Sequence, residues 1–230
     1  MSRSWVPGSI FDHLSEVDHR IVVEAGARRE FPSNEVLLRQ GDPTDHVFVL
    51  LSGWVRVSAS TEGGRDLLLA FRGPGEVVGD LAAVHGTDRT ASVRALEPVR
   101  VVQLRRERFV DLLRDQPAIS MAMIKQLSAR LVELGETRML FAPLDVTRRV
   151  AACLLRLVEL HGVPVANGIA LRIRLSQQDV AGQVDASARS VARAFAVLRD
   201  RGIVTSTRAR VVIGRPDVLR ALAGYPPDGR

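Results

Sequence analysis

Cysteine is almost absent from this chain: among 230 residues there is one, Cys153. A single thiol cannot close an internal disulfide or supply the ligand set of a thiolate zinc or iron–sulfur site within one chain. In the run Val-Ala-Ala-Cys-Leu-Leu it reads as a small buried apolar residue. Lysine is as scarce: Lys125 stands alone among 32 basic residues, so nearly all the positive charge is arginine. The five histidines (His13, His19, His46, His85, His161) never fall at metal-ligand spacing. No basic-then-apolar pattern opens the sequence, and no apolar run approaches about 18 residues. The expected location is therefore cytoplasmic, away from membranes. No nucleophile–base pair is visible, and His46 and His85 alone make no metal cluster for a barrel-type enzyme. The chain is expected not to be an enzyme, and to need no metal and no obligatory cofactor.

What is present is enough polymer for two small domains: 25.2 kDa, with 46% hydrophobic residues to build cores. The net charge of +6 and a sequence pI near 10.9 point to a polyanionic partner. A genome rich in G and C, which favours Arg codons, accounts for the arginine bias equally well.

Apolar residues Ile10, Phe11, Leu14, Val17, Ile21 and Val22 give residues 9–30 the spacing of one or two short helices. From Phe31 to about Leu104 the texture changes to short apolar runs split by turn signals such as Gly-Asp-Pro, Ser-Gly and Gly-Pro-Gly. Frequent short strands with glycine turns predict an antiparallel barrel or double-sheet roll, with a hairpin tip at Glu62-Gly63-Gly64. A helix opens after Leu104. A long one, about 37 Å at 1.5 Å per residue, is predicted from Pro117 to about Phe141. Its residues Met123, Leu127, Leu131 and Leu134 recur at threes and fours as a stripe for pairing with a second copy.

Within the roll, Gly79-Asp80-Leu81-Ala82 followed by Arg89-Thr90-Ala91 can hold a cyclic phosphate. Arg89 offers a fork of donors to an anionic oxygen, and Thr90 adds a hydroxyl. Gly79 lets the backbone approach, and Asp80 is placed to accept from a sugar hydroxyl.

After Pro143, Asp145 caps a helix that ends near Gly162, and a strand is predicted over Ile169–Arg174. Residues 175–202 read as helix, tight turn, helix. Ser176 caps the first with Asp179 three residues on, and Ser187 caps the second. Val180, Ala181, Val184, Val191, Ala194, Phe195 and Leu198 face inward. Ala188, Arg189, Ser190 and Arg193 face outward, where arginine can bond guanine edges in a major groove. Ser187 or Ser190 and the cap N–H groups can meet phosphates. A hairpin over residues 203–213 forms a wing, with Arg208 and Arg210 near its tip as phosphate contacts.

These motifs together make residues 8–223 resemble the cyclic-AMP receptor protein and fumarate–nitrate reductase regulator family. The resemblance rests on the roll glycines Gly41, Gly53, Gly75 and Gly79, the Gly79–Ala91 cassette, the Leu144-Asp145-Val146-Thr147 hinge and the terminal winged helix. It implies an α+β chain: a double-stranded β-roll of cyclic-nucleotide-binding type with short leading helices (1–116), a dimerisation helix (117–142), a winged helix-turn-helix (143–224) and a flexible tail (225–230). It implies a homodimeric transcription regulator on double-stranded, near-palindromic DNA, with RNA polymerase as a further partner. The effector would be a cyclic nucleotide (cyclic AMP, cyclic GMP or another). Arg130 joins the nucleotide site by the same resemblance, Ser176 joins the DNA site, and Phe141, Pro143 and Asp145 form the hinge.

The departures matter. Asp80 stands where the family's nucleotide binders usually carry Glu, and Leu134-Gly135 stands where adenine-contacting hydroxyl residues are expected. The common Ser-Arg-Glu-Thr-Val-x-Arg is here Ser187-Ala188-Arg189-Ser190-Val191-Ala192-Arg193, which reverses a donor–acceptor requirement and predicts an operator other than TGTGA. A ligand-independent regulator with a vestigial pocket stays open as the alternative.

Overall fold

The computed structural model describes residues 5–60, 66–141, 145–171, 173, 175–184, 186–206 and 211–225. The chain divides into two compact units, Met1–Glu133 and Leu134–Arg230. Among the described residues no helix is long and apolar enough to cross a membrane.

The first unit opens with α1 (Glu16–Glu24), whose N-terminus is fixed by a reciprocal capping box between Ser15 and Asp18. Of the one or two short helices expected within residues 9–30, the structure forms one, in the middle of that span. Ile10 and Phe11 are buried in the turns before it, and Ala27–Phe31 forms β1 instead. Gly26 marks the change of course, since a Cβ there would lie 2.4 Å from the Gln103 carbonyl oxygen.

The strands that follow are β2 (Val36–Leu38), β3 (His46–Ser52), β4 (Val55–Ser60), β5 (Asp66–Arg72), β6 (Val77–Val78), β7 (Ser92–Ala95) and β8 (Val99–Arg105). They form two antiparallel four-stranded sheets, ordered β1-β8-β3-β6 and β2-β7-β4-β5, the roll that the turn pattern predicts. The first sheet is covered on both faces. Phe48, Leu50, Val99 and Val101 enter the core shared with Leu38, Val55 and Val93 of the second sheet. Val47, Val49, Val102 and Leu104 enter a core with Val22 and residues of the later helices. Side chains alternate across a strand, so burial on both faces needs apolar residues at consecutive positions. That is why β3 reads His-Val-Phe-Val-Leu-Leu-Ser.

Helices α2 (Asp80–His85) and α3 (Arg106–Asp115) and the part of α4 (Pro117–Phe141) up to Glu133 complete this region. The α4 stripe requires a correction. Met123 is 4% exposed and buried in the roll's own core with Ile119 and Ala122, and Leu127 packs against that core. The exposed apolar side chains are Met121, Ile124, Leu131 and Val132. Of the four residues read as a pairing seam, Met123 and Leu127 are therefore occupied at home, while Leu131 is exposed. Leu134 and Phe141 fall where the backbone of α4 alone is described.

The second unit contains α5 (Val146–His161), β9 (Gly162–Val165), β10 (Gly168–Leu171), α6 (Gln177–Gln183), α7 (Ala188–Asp200), β11 (Val204–Ser206), β12 (Val211–Ile213) and α8 (Pro216–Ala223). Asp145 caps α5, its side chain accepting from the Arg148 N–H at 2.9 Å. The strands form one antiparallel sheet ordered β11-β12-β10-β9. Of the strand predicted at 169–174, residues 169–171 lie in β10 and residues 172 and 174 lie outside the described residues, while β9 and α8 are additions the sequence pattern did not show. The hairpin tip Glu62-Gly63-Gly64, the hinge residue Pro143, the wing residues Arg208 and Arg210, and tail residues 226–230 lie outside the described residues.

Candidate functional site

The cassette begins at Gly79, which leaves β6 at φ 82° to start α2. A Cβ at Gly79 would sit 2.5 Å from Arg89 Nη1, so glycine is required both by the backbone and by the guanidinium packed over it. Arg89 is 4% exposed. Its fork donates from Nη1 to the Gly79 carbonyl at 3.1 Å and from Nη2 to the His46 carbonyl at 2.5 Å. The backbone is pinned as well: Arg89 N–H donates to the Asp42 carbonyl, and Gly41 N–H donates to the Arg89 carbonyl, both at 2.9 Å. Burial pushes the guanidinium pKa down, against the opposing pull of Asp45 and Asp42. The carboxyl of Asp45 is raised by its own partial burial. The His46 ring bonded to it more than offsets this, and it ends below its ordinary value.

The structure thus brings Gly79 and Arg89 into contact, with Asp80 next to Gly79 in the chain. Ala82 is buried in α2, whereas Leu81 and Thr90 are exposed and Ala91 is half-buried.

Asp80 is 4% exposed, and its Oδ2 accepts from Arg130 Nη1 at 2.8 Å. The residue expected to take a sugar hydroxyl therefore already holds an arginine of α4. Arg130 does more: Nη2 donates to the Val77 carbonyl at 2.6 Å and lies 3.7 Å from Glu76 Oε1. Glu76, itself buried, is 3.3 Å from Arg72 Nε and accepts from the Gly73 N–H at 2.8 Å. Burial raises its pKa and Asp80 adds to the rise, with Arg72 and Arg130 opposing. Two arginines and two carboxylates thus neutralise one another where unpaired ions would be prohibitively costly. Arg130 Nε is buried without a hydrogen-bond partner among the described residues.

One turn earlier on α4, Gln126 is 1% exposed, and its Oε1 accepts from the N–H groups of Ile10 (3.1 Å) and Val77 (3.3 Å). β6 ends its sheet, and both main-chain polar groups of Val77 are satisfied by α4 side chains in place of a further strand. Arg72, Glu76 and Gln126 are the participants that sequence reading missed. The available signal was two polar residues at i, i+4, Gln126 and Arg130, beside the apolar positions of α4.

The second site lies in the other unit. Ser176 and Asp179 form a complete capping box at α6, with Ser176 Oγ 2.6 Å from Asp179 Oδ2. Ser187 caps α7 by accepting from the Ser190 N–H at 3.1 Å, and the two hydroxyl oxygens lie 2.9 Å apart. Val180, Ala181 and Val184 of α6 and Val191, Ala194, Phe195 and Leu198 of α7 are buried, as the spacing predicts. That burial fixes the roll of α7 about its axis, leaving Ala188, Arg189 and Arg193 exposed and Ser190 half-buried. The serine hydroxyls read as phosphate contacts are thus engaged in the caps.

One family model falls within each of the two units. The cyclic nucleotide-binding domain model matches residues 28–116, and the Crp-like helix-turn-helix domain model matches residues 148–222. The global nitrogen regulator of Nostoc sp. is 28% identical over 191 residues, covering 82% of this chain and 86% of that protein. The CRP-like cAMP-activated global transcriptional regulator of Mycobacterium tuberculosis is 28% identical over 190 residues, covering 83% and 85%. Among solved structures, the c-di-GMP-responsive global regulator CLP of Xanthomonas campestris superposes with a TM-score of 0.72 at 28% identity, covering 85% of this chain and 97% of that one.

Proposed function

The chain belongs to the cyclic-AMP receptor protein and fumarate–nitrate reductase regulator family of bacterial transcription regulators, and from that membership we propose that it works as a homodimer whose DNA reading is set by a cyclic nucleotide in each β-roll. The observation that carries this reading is the junction at Asp80. The carboxylate that we assign to a sugar hydroxyl is also the anchor of Arg130 on α4. A phosphodiester oxygen entering the roll would draw the Arg89 fork from the Gly79 and His46 carbonyls. A sugar hydroxyl at Asp80 would compete with Arg130. Ligand affinity and the seating of α4 are then linked, and α4 carries the chain into the DNA-reading unit. Couplings of this kind are worth about 1–3 kcal/mol. Relatives are named for two effectors, cyclic AMP in M. tuberculosis and c-di-GMP in X. campestris, and both present a cyclic phosphodiester.

Calorimetric titration of the full chain with cyclic AMP, cyclic GMP and cyclic di-GMP tests the proposal. At least one ligand should bind, and both Arg89→Ala and the charge-retaining Arg89→Lys should abolish or weaken that binding in protein that still melts cooperatively. Unchanged binding in both variants would remove the cassette from the mechanism. A second reading is favoured by the internal partners of Arg89 and Asp80: a regulator of the same family whose pocket is filled by its own side chains and needs no ligand. Absence of heat with every nucleotide, together with sequence-specific DNA binding, would establish it.

A further inference from the structure

The first two turns of α7 present Arg189, Arg193 and the Ala188 methyl on their exposed side, with Ser190 half-buried between them. From Ala188 to Arg199 the helix contains no Asp, Glu, Asn or Gln, and its first turn has no acidic residue. The hydroxyls of Ser187 and Ser190 are turned to each other and to the helix cap. That leaves Arg189 and Arg193 as the polar readers, with the exposed Ala188 methyl beside them. The two arginines are one turn apart, about 6 Å along the axis at 1.5 Å per residue. Base pairs stack at about 3.4 Å, so the two forks reach positions about two steps apart.

In a major groove, a guanidinium fork matches guanine O6 and N7. It cannot accept from cytosine N4 or adenine N6, which require a carboxylate or an amide oxygen. A methyl group fits only the C5-methyl of thymine. Resting on the DNA-reading role given above, we infer that each half-site of the operator carries two guanines about two steps apart, read by Arg189 and Arg193, with a thymine methyl against Ala188. Arg189 is the specificity-determining residue: it sets one position to guanine and refuses cytosine there.

The test is selection of duplexes from a random pool by the full chain at about 50 mM salt, where phosphate attraction is strong. It is run without nucleotide and with cyclic AMP, cyclic GMP or cyclic di-GMP. The wild-type protein should recover a two-fold-symmetric site with the paired guanines. Arg189→Ala should flatten one position, losing about tenfold or more of its discrimination, and leave the other guanine in place. Arg189→Glu should invert that base pair, placing cytosine on the strand that held guanine, because a carboxylate accepts from N4. Both substitutions are at an exposed site, and circular dichroism checks that they leave the fold intact. If Arg189→Ala weakens all sequences equally, with the salt slope reduced by about one, Arg189 is a phosphate ligand and the inference is overturned. If the wild-type protein selects no sequence under any condition, the DNA-reading role itself falls, which is a separate result.

Discussion

Cys153 sits 2% exposed in α5, its sulfur 3.5 Å from Gln183 Oε1, and burial pushes its pKa up to about 12. The thiolate is the reactive form, so a thiol that keeps its proton in the folded state is inert where an unfolded one, with a pKa of about 8.5, is half ionised. Alkylation by iodoacetamide should therefore be slow in the native protein through pH 9 and become fast only on unfolding. Fast native labelling with an inflection near pH 8.5 would show that the thiol is accessible and the α5 packing wrong. Arg89 is the opposite case, a buried group that stays charged. Two carbonyls, rather than a carboxylate in contact, satisfy its fork. Carbonyl partners are more easily exchanged for a phosphate oxygen than a buried ion pair would be. The cassette can therefore hold its arginine in place before any anion arrives.

At the scale of elements, α4 is docked by polar latches as much as by its apolar side. Gln126→Leu keeps the volume but leaves the buried N–H groups of Ile10 and Val77 without their acceptor. An unsatisfied buried donor costs about 1–3 kcal/mol, so the variant should lose about 2–4 kcal/mol in urea unfolding. A loss below about 0.5 kcal/mol would show that water or a shifted helix replaces the amide. The same helix shows where sequence reading stops. Its length, its Pro117 start and its apolar content are local and were legible. Which side faces the roll was not, because Met123 and Ile119 on one side and Ile124 and Leu131 on the other are equally apolar. β1 escaped notice for a related reason: Ala-Arg-Arg-Glu is exposed along its length and carries no alternation to read. β9 and α8 are four and eight residues long, too short to build a period. The chemistry of Gly79, Asp80 and Arg89 was plain within an 11-residue stretch, and the α6–α7 caps were plain within four-residue ones. The pairing of Asp80 with Arg130, 50 residues away, is set by packing and left no local trace.

For the molecule as a whole, the exposed face of α4 decides between one copy and two. Met121, Ile124, Leu131 and Val132 are 54%, 55%, 69% and 60% exposed, and at 3.6 residues per turn they fall on one side of the helix. Fully burying such a side chain is worth about 1.5–3 kcal/mol, and a second α4 laid against this face would cover two such sets. A two-fold axis along the seam would bring Leu131 close to its own copy, so Leu131→Asp would bury like charges with no cation to pair them. The parent should sediment as a dimer and the variant as a monomer at the same concentration, with melting little changed because Leu131 is 69% exposed on its own roll. Its affinity for a palindromic operator should fall about 100-fold or more, because two half-sites bound by linked readers gain that much over one. Affinity for a single half-site should remain. Leu131→Met, which preserves apolar volume, should stay dimeric and separate the effect of charge from that of shape. A Leu131→Asp protein that still sediments as a dimer would place the interface elsewhere and leave the four exposed side chains of α4 to another partner.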